Sequence, residues 1–570
     1  MGLLIRVIII IFFFAIPLTG WAANHSTGTY YVTQTVQGDG SGSSYVNSMS
    51  VATHNADTFD APSTIYLCDT INSPVVARSS GSSGSLITYR GDYSGHSGVL
   101  SNGIFPNPAT WTDAGGGIYT LTTINTRTVW EDGVPIKRAT DNTLADGYWF
   151  HSNPAGSGTL YWKSIQGSGT PSTRKITYAQ SVAWTPTHQI GILLNGRSYI
   201  TVDGVTFMAN SIGVAGYAES YSNVTVKNCT FQYNVNDILF GNIVSTSAGL
   251  ITNNTSYRAG RSIAIYGIEH TGWTISNNSL RECGTINGTG TWYTNTNQVD
   301  LEAIGIQGFI NSTIEHNTIS GKGFCVGIFL YAHSVDHGGG TGVRGNTVRY
   351  NRVADTTYQG MYFAGDDGSV IENNNVYYNI ISGCGTDPTR KFAILLRPVS
   401  GTSVYNNFYN NTVFGGIILL SFDGRQNAQY WNIKNNIFGS MANTGRAVSF
   451  IAAAPTQVNI DYNIYYPNNS TASANMFMFP YLTLRDFDRW KEAGFDTHSS
   501  FADPLLLSTS NYSLQHESPA IDKGTPVGLI ADYTGAVVPY GTLPDIGAYE
   551  CMTEVRELLA PLPPLNLQVK

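Results

Sequence analysis

A short pattern that returns ten times constrains this chain more than any other feature. A β-branched residue is followed by two variable positions and, in eight of ten cases, by Asn at the fourth. The segments begin at Val202, Val226, Ile251, Ile275, Ile314, Val343, Ile371, Val404, Ile433 and Ile460, and the steps between them are 24, 25, 24, 39, 29, 28, 33, 29 and 27 residues. Such steps are too short for propeller blades and lack the leucine grammar of leucine-rich repeats. They suit a solenoid whose short strands stack in parallel, with the longer steps holding loops. On stacked coils the fourth-position amides are expected to form one column, each side chain bonding the next and satisfying buried turn backbone.

Composition agrees. Only 12% of the 570 residues are charged, against about 25% in ordinary soluble domains. The 34 Tyr, 24 Phe and 10 Trp exclude a disordered chain, and Gly and Asn displace the Ala, Glu and Lys of a helical bundle. A net charge of −8 with scattered Lys and Arg leaves no basic stripe, so a nucleic-acid partner is not expected.

Residues 1–22 read as a secretory signal: Arg6, an apolar run from Val7 to Ile16, breakers Pro17 and Gly20, and small Gly20 and Ala22 flanking Trp21. The run is shorter than the ~20 residues that span a bilayer, so no membrane span is expected after its removal. Residues 23–104 read as the first coils. Residues 105–185 lose the repeat and alternate aromatics with turn residues, which predicts an antiparallel β insertion. That insertion is expected to pack on the solenoid flank, with sugar stacking as the alternative. Residues 186–466 form the main solenoid, 467–550 a closing segment and 551–570 a tail. Within the closing segment, Leu484, Phe487, Trp490 and Ala493 have helical spacing before Gly494, predicting a helix over 482–493 that covers the solenoid's open end. Six cysteines in a secreted chain permit disulfides, while Cys229 and Cys325 in strand-like stretches read as buried free thiols.

The repeat over 190–466 resembles the right-handed parallel β-helix family of the pectate lyases and their relatives. Tyr30-Tyr31-Val32 with Gly38-Asp39-Gly40-Ser41-Gly42 is similar to that family's opening strand and turn. Ile87-Thr88-Tyr89-Arg90-Gly91 is similar to an early coil, and Ser518-Pro519-Ala520-Ile521-Asp522 with Pro544-Asp545-Ile546-Gly547-Ala548-Tyr549-Glu550 to a closing segment. The resemblance implies an all-β, right-handed parallel β-helix. It also implies a secreted, periplasmic or cell-surface carbohydrate-active protein, expected to be a monomer, whose partner is an acidic polysaccharide.

A solenoid lines up distant residues about 4.8 Å apart. Six strands with a common apolar grammar start at Ile263, Ile304, Ile328, Met361, Ile394 and Ile417. Polar groups follow them: Glu269 and His270, then Tyr331, His333, Asp336 and His337, then Asp366 and Asp367, then Arg397, then Asp423 and Arg425. Glu302 precedes the second strand. For β-elimination from a uronic-acid polymer, His333 or Tyr331 is the expected base and Arg397 the group that neutralises the substrate carboxylate. Asp366 and Asp367 are expected to be catalytic or to bind Ca²⁺. Glu302, Glu269, His270, His337, Asp423 and Arg425 are expected to bind substrate. Hydrolysis by paired carboxyls is the first alternative, since Asp366-Asp367 is similar to the Asp pair of the polygalacturonases. Uronan C5-epimerisation is the second, on the similarity of Tyr331 to His337 to the epimerase cluster. A non-catalytic polysaccharide-binding β-helix is the third.

Overall fold

The computed structural model describes residues 22–552 except 125, 133, 154–156, 181–188, 218, 285–300, 322–324, 333–341, 366–367, 389–390, 399–401, 424–427, 452–456, 468–475, 480–482 and 509. The segment read as a signal, apart from Ala22, and the tail from 553 onward lie outside the described residues.

The chain winds into a right-handed parallel β-helix. One wall is a parallel sheet of 14 strands, and a 30-strand sheet wraps the remaining walls. In the first wall Ile275, Ile314, Val348, Val376, Phe408, Ile433 and Ile460 stand in register on successive coils, and all point into the core. Their neighbours along each strand face outward, as the two-residue period of a strand requires.

The corners explain the asparagines. Each begins with a residue in the left-handed region: Asn253, Asn277, His316, Tyr350, Tyr378, Asn410, Asn435 and Tyr462 all have φ between 51° and 58°. The next residue is a fully or nearly buried Asn. Asn351 is representative. Its Nδ2 donates to Ile314 O (2.9 Å), Arg349 O (2.9 Å) and Asn379 Oδ1 (3.0 Å), and its backbone N–H donates to the same Oδ1 (3.0 Å). The column runs unbroken through Asn254, Asn278, Asn317, Asn351, Asn379, Asn411, Asn436 and Asn463. Where the left-handed position holds an aromatic ring instead of Asn, rings stack outside the corner, as in His316 on Tyr350 (4.9 Å) and Tyr462 on His498 (4.8 Å). Asn is the cheapest non-glycine residue in that conformation, and ring stacking offsets part of the cost for the others.

The expected single column is in fact two. Asn346, Asn374 and Asn406 form a separate ladder, headed by Ser312, at a different corner. Both corners are spelled by a left-handed residue followed by Asn, so the sequence pattern merges them. On the Val404 coil the inward amide is Asn406. Asn407 instead bonds Asn375 (2.8 Å) and Asn432 (2.9 Å) outside the core.

The strands between 105 and 185 pair antiparallel, Ile118–Ile124 with Ser157–Lys163 and Thr126–Glu131 with Ile176–Gln180. Trp130 and Ala179 pack on Ala209, Val235 and Leu301 of the solenoid flank. At the other end the helix is shorter than expected, Phe487–Glu492, capped by Asp486. Leu484 lies in a strand, Thr483–Arg485, paired antiparallel with Phe477–Phe479. Trp490 is fully buried and stacks on Phe477 (4.5 Å) and Phe495 (4.6 Å), closing the core. Cys325 is not a free thiol: it pairs with Cys283, the Cα atoms 5.9 Å apart, at the foot of the insertion 285–300. Cys229 is free and buried.

The closing segment is held by carboxylates that accept backbone N–H groups. Asp545 receives Asp522 N (2.7 Å) and Cys551 N (2.6 Å), and Glu550 receives Tyr540 N (3.0 Å) and Asp545 N (2.9 Å). Burial pushes Glu550 up from 4.5 to about 7 and Asp545 up from 3.8 to about 6.

Replacing Asn374 by Ala strands the backbone groups of two coils and should cost about 1–3 kcal/mol per unpaired group. A melting temperature equal to that of the parent protein would remove the ladder's stabilising role at that position. The raised carboxyls give a sign as well. The native state holds protons that the unfolded chain releases, so their contribution is complete below about pH 4 and is lost as the pH rises through 6 to 7. The melting temperature should fall across that window, and Glu550→Gln should flatten the slope whatever it does to absolute stability.

Candidate functional site

The strands aligned from the sequence do share one register on a single wall. Ile263, Ile304, Ile328, Met361 and Ile394 are consecutive partners and point inward. Their odd neighbours therefore form two outward columns. One holds Gly305, Phe329, Tyr362 and Leu395, and the other Gln307, Tyr331, Ala364 and Arg397. The sixth strand departs from expectation: Ile394 pairs with Leu420 rather than Ile417, a shift of three residues. That shift brings Asp423 beside Arg397, with its backbone N–H donating to Leu396 O (2.9 Å).

Arg397 is the centre of the outward face. Its Nε lies 3.4 Å from Asp423 Oδ2, the two side chains being 44% and 31% exposed, and its Nη1 donates to Tyr362 Oη (3.4 Å). The Tyr362 hydroxyl, then the charge of Asp423 and the proximity of Tyr331, hold the guanidinium above its ordinary range. Beneath it lies an aromatic shelf. Phe329 stacks on Tyr362 (4.6 Å, 18° between planes) and on Tyr331 (5.4 Å, 24°). Phe329 and Tyr362 are buried, while Tyr331 is half-buried at the shelf's edge.

Glu302 lies further along the same wall, one coil before Tyr331 and three before Arg397. Its side chain is only 2% exposed. It accepts from Arg261 Nε (2.8 Å) and Tyr266 Oη (2.9 Å), and it fills the space that the missing side chain of Gly305 leaves, where a Cβ would sit 2.9 Å from its Cγ. Glu302 is thus a buried carboxylate that fixes Arg261 and Tyr266, and not the exposed ligand expected.

His270 is corrected more strongly. It faces the interior with Nδ1 2.7 Å from Thr246 Oγ1, and burial lowers its pKa from 6.5 to about 3, so it is a neutral core residue. Glu269, one residue earlier and therefore on the opposite face, is exposed. It lines a separate small cleft of about 270 Å³ with Tyr221 and hydroxyls such as Ser245 and Ser247. His333, Asp336, His337, Asp366, Asp367 and Arg425 lie outside the described residues. Among the described residues no cluster of three or more His, Cys, Asp or Glu side chains could hold a metal ion.

The structure therefore joins Asp423 to Arg397, puts Tyr331 in the same outward column two coils away, sets Glu302 three coils from Arg397, and separates Glu269 and His270. Sequence reasoning missed Phe329, Tyr362, Arg261 and Tyr266. For Phe329 and Tyr362 the signal was present, because strand parity puts both on the face that carries Arg397.

No family model and no curated protein matches this chain. Among solved structures, XylC in complex with xylose is 13% identical and aligns over 92% of this chain and 98% of its own, with a TM-score of 0.51. A glycoside hydrolase is 10% identical over 77% of this chain and 96% of its own, at a TM-score of 0.39. The pectate lyase Pel9A is 11% identical over 92% and 96%, at 0.30. The first of these likenesses bears on fold. In architecture the chain is a right-handed parallel β-helix protein.

Proposed function

We propose that the chain is a secreted, carbohydrate-active β-helix enzyme that cleaves a uronic-acid-containing polysaccharide by β-elimination. The observation that carries this reading is Arg397: a half-exposed guanidinium, held by Tyr362 and Asp423, above an aromatic shelf and two coils from Tyr331 in the same outward column. The half-buried Tyr331 ring at the shelf's edge offers a face to a sugar ring, and a fixed guanidinium pairs with a carboxylate in the plane of its fork.

The chemistry follows from the charges. The proton next to a uronate carboxylate leaves only when the carboxylate's charge is neutralised, because the carbanion-like transition state places further charge on the same oxygens. Arg397 supplies the neutralising charge. Tyr331, two coils away in the same column, is the described group of acid–base type on this face, and His333 lies two residues further along the chain. The base accepts the C–H proton, the C–H electrons become the new carbon–carbon double bond as the glycosidic C–O bond breaks, and the same group, now protonated, or water gives a proton to the leaving oxygen. Asp423 and Tyr362 keep the guanidinium aimed. The stretch 1–22, read from sequence as a signal, and the Cys283–Cys325 disulfide both suit an oxidising, extracellular or periplasmic location.

The assay is ultraviolet absorbance of the unsaturated product on pectate, alginate and glycosaminoglycan panels, with Ca²⁺ and with EDTA. The EDTA arm reads the expectation of Ca²⁺ at Asp366 and Asp367. Arg397→Ala and Tyr331→Phe should each lower turnover at least ~10²-fold, with the β-sheet circular dichroism unchanged. New reducing ends without absorbance would make the chain a hydrolase. Inverted C5 configuration without cleavage would make it an epimerase, and binding without turnover a lectin-like β-helix.

A further inference from the structure

A larger cleft, about 610 Å³, opens on another wall of the solenoid, between the strands around Arg352–Ala354 and Ile380–Ser382 and the returning segment 503–512. Its volume is within the range of small-molecule sites. None of the residues discussed for the Arg397 face lines it.

The inner wall is shaped by a stack of left-handed corners. Asp355, Gly383 and Gly415 follow register partners Ala354, Ser382 and Phe414, and have φ of 55°, 62° and 66°. The absent side chain at Gly383 matters most, since a Cβ there would lie 2.6 Å from Asp355 Oδ1. The two glycines leave the Asp355 carboxylate exposed over the floor of the cleft. Asp503 also lines the cleft and is exposed, its Oδ1 accepting the backbone N–H of Leu505 (2.9 Å). Neither carboxylate has an ion-pair partner among the described residues. The one cation on the lining, Arg352, is already engaged: it lies over the Tyr512 ring (5.8 Å) and donates to Ser510 O (3.1 Å). Phe414 meets the same ring at 5.7 Å, so the end wall is aromatic.

We propose that this cleft is a second glycan-binding site, and that it takes a neutral oligosaccharide. Asp355, and the Asp503 oxygen not taken by Leu505 N–H, accept hydroxyl protons from a sugar placed in the cleft, while half-buried Phe414 offers apolar surface to a ring face. The same carboxylates repel a uronate, and Arg352, the one cation among the described lining residues, is turned to Tyr512 and Ser510. The charge logic is thus opposite to that of the Arg397 face, and the proposal does not depend on the lyase reading.

Calorimetric titration of the full chain with xylohexaose, cellohexaose and mannohexaose tests it, using Asp355→Ala and Ala354→Trp to remove an acceptor and to fill the space. At least one neutral hexamer should bind the parent protein. Both substitutions should weaken that binding tenfold or more, while Arg397→Ala leaves it unchanged. The Trp variant also covers the case in which Asp355→Ala fails to fold. The proposal is overturned if no neutral hexamer binds, if binding survives both substitutions, or if Arg397→Ala alone removes it. Loss of turnover on acidic polymers in Arg397→Ala is read separately and leaves this test intact.

Discussion

The buried corner amides are the constraint on which the rest of this molecule depends. A chain that turns through a dry interior every few residues must satisfy each N–H and C=O without water. Here two residues do so at each corner. The first turns the backbone through the left-handed region, and the second carries its amide inward to bond the strands above and below. Because Asn offers two donors and an acceptor with two lone pairs, each member serves its own coil and both neighbours. The repeat is therefore pinned at the corner and free elsewhere. Separations along the main column range from 24 to 39 residues without a break in the ladder.

That division of labour is what builds the Arg397 face. Fixed corners keep five strands in one register, so Tyr331, Ala364 and Arg397 fall in one column and Phe329, Tyr362 and Leu395 in the next. Side chains 30 or more residues apart in sequence become neighbours at the spacing of adjacent strands, about 4.8 Å. The aromatic shelf is rigid because Phe329 and Tyr362 are buried between their neighbours, and the guanidinium borrows that rigidity through Tyr362. A loop-borne arginine would lack it.

The same physics decides what could be read from sequence. The register of the first five strands was legible because each carries a core-forming apolar residue at the aligned position and again two residues on. The sixth was not: Thr412–Phe422 contains Ile417-Ile418-Leu419-Leu420, an apolar run in which alternation gives no phase. The error of three residues placed Asp423 away from Arg397 instead of beside it. His270 failed for a related reason. It follows exposed Glu269 directly, and the strand Arg261–Thr271 continues through both, so the two face opposite ways. The Cys283–Cys325 pair was hidden by the insertion between them, which makes a contact between adjacent coils look remote. The two Asn columns merged because one local solution serves two corners, and local sequence carries no label for which corner it occupies.

An amide column must also stop, and its upper end shows why the last residue is not another Asn. Asn463 donates to Asp496 Oδ1 (3.0 Å), and Ser499 Oγ donates to the same oxygen. Asp496 Oδ2 accepts from Tyr465 Oη (2.7 Å) and Trp490 Nε1 (2.7 Å). Four donors converge, and only a carboxylate has two oxygens to receive them; an amide would turn its own N–H₂ against two of them. Burial pushes the Asp496 carboxyl upward, and all four donors pull it back toward the charged form. Because Tyr465 belongs to the last coil and Trp490 to the covering helix, the group that ends the ladder also fastens the lid. Termination of the repeat and closure of the core are thus one interaction, which ties the end of the solenoid to the ladder within it.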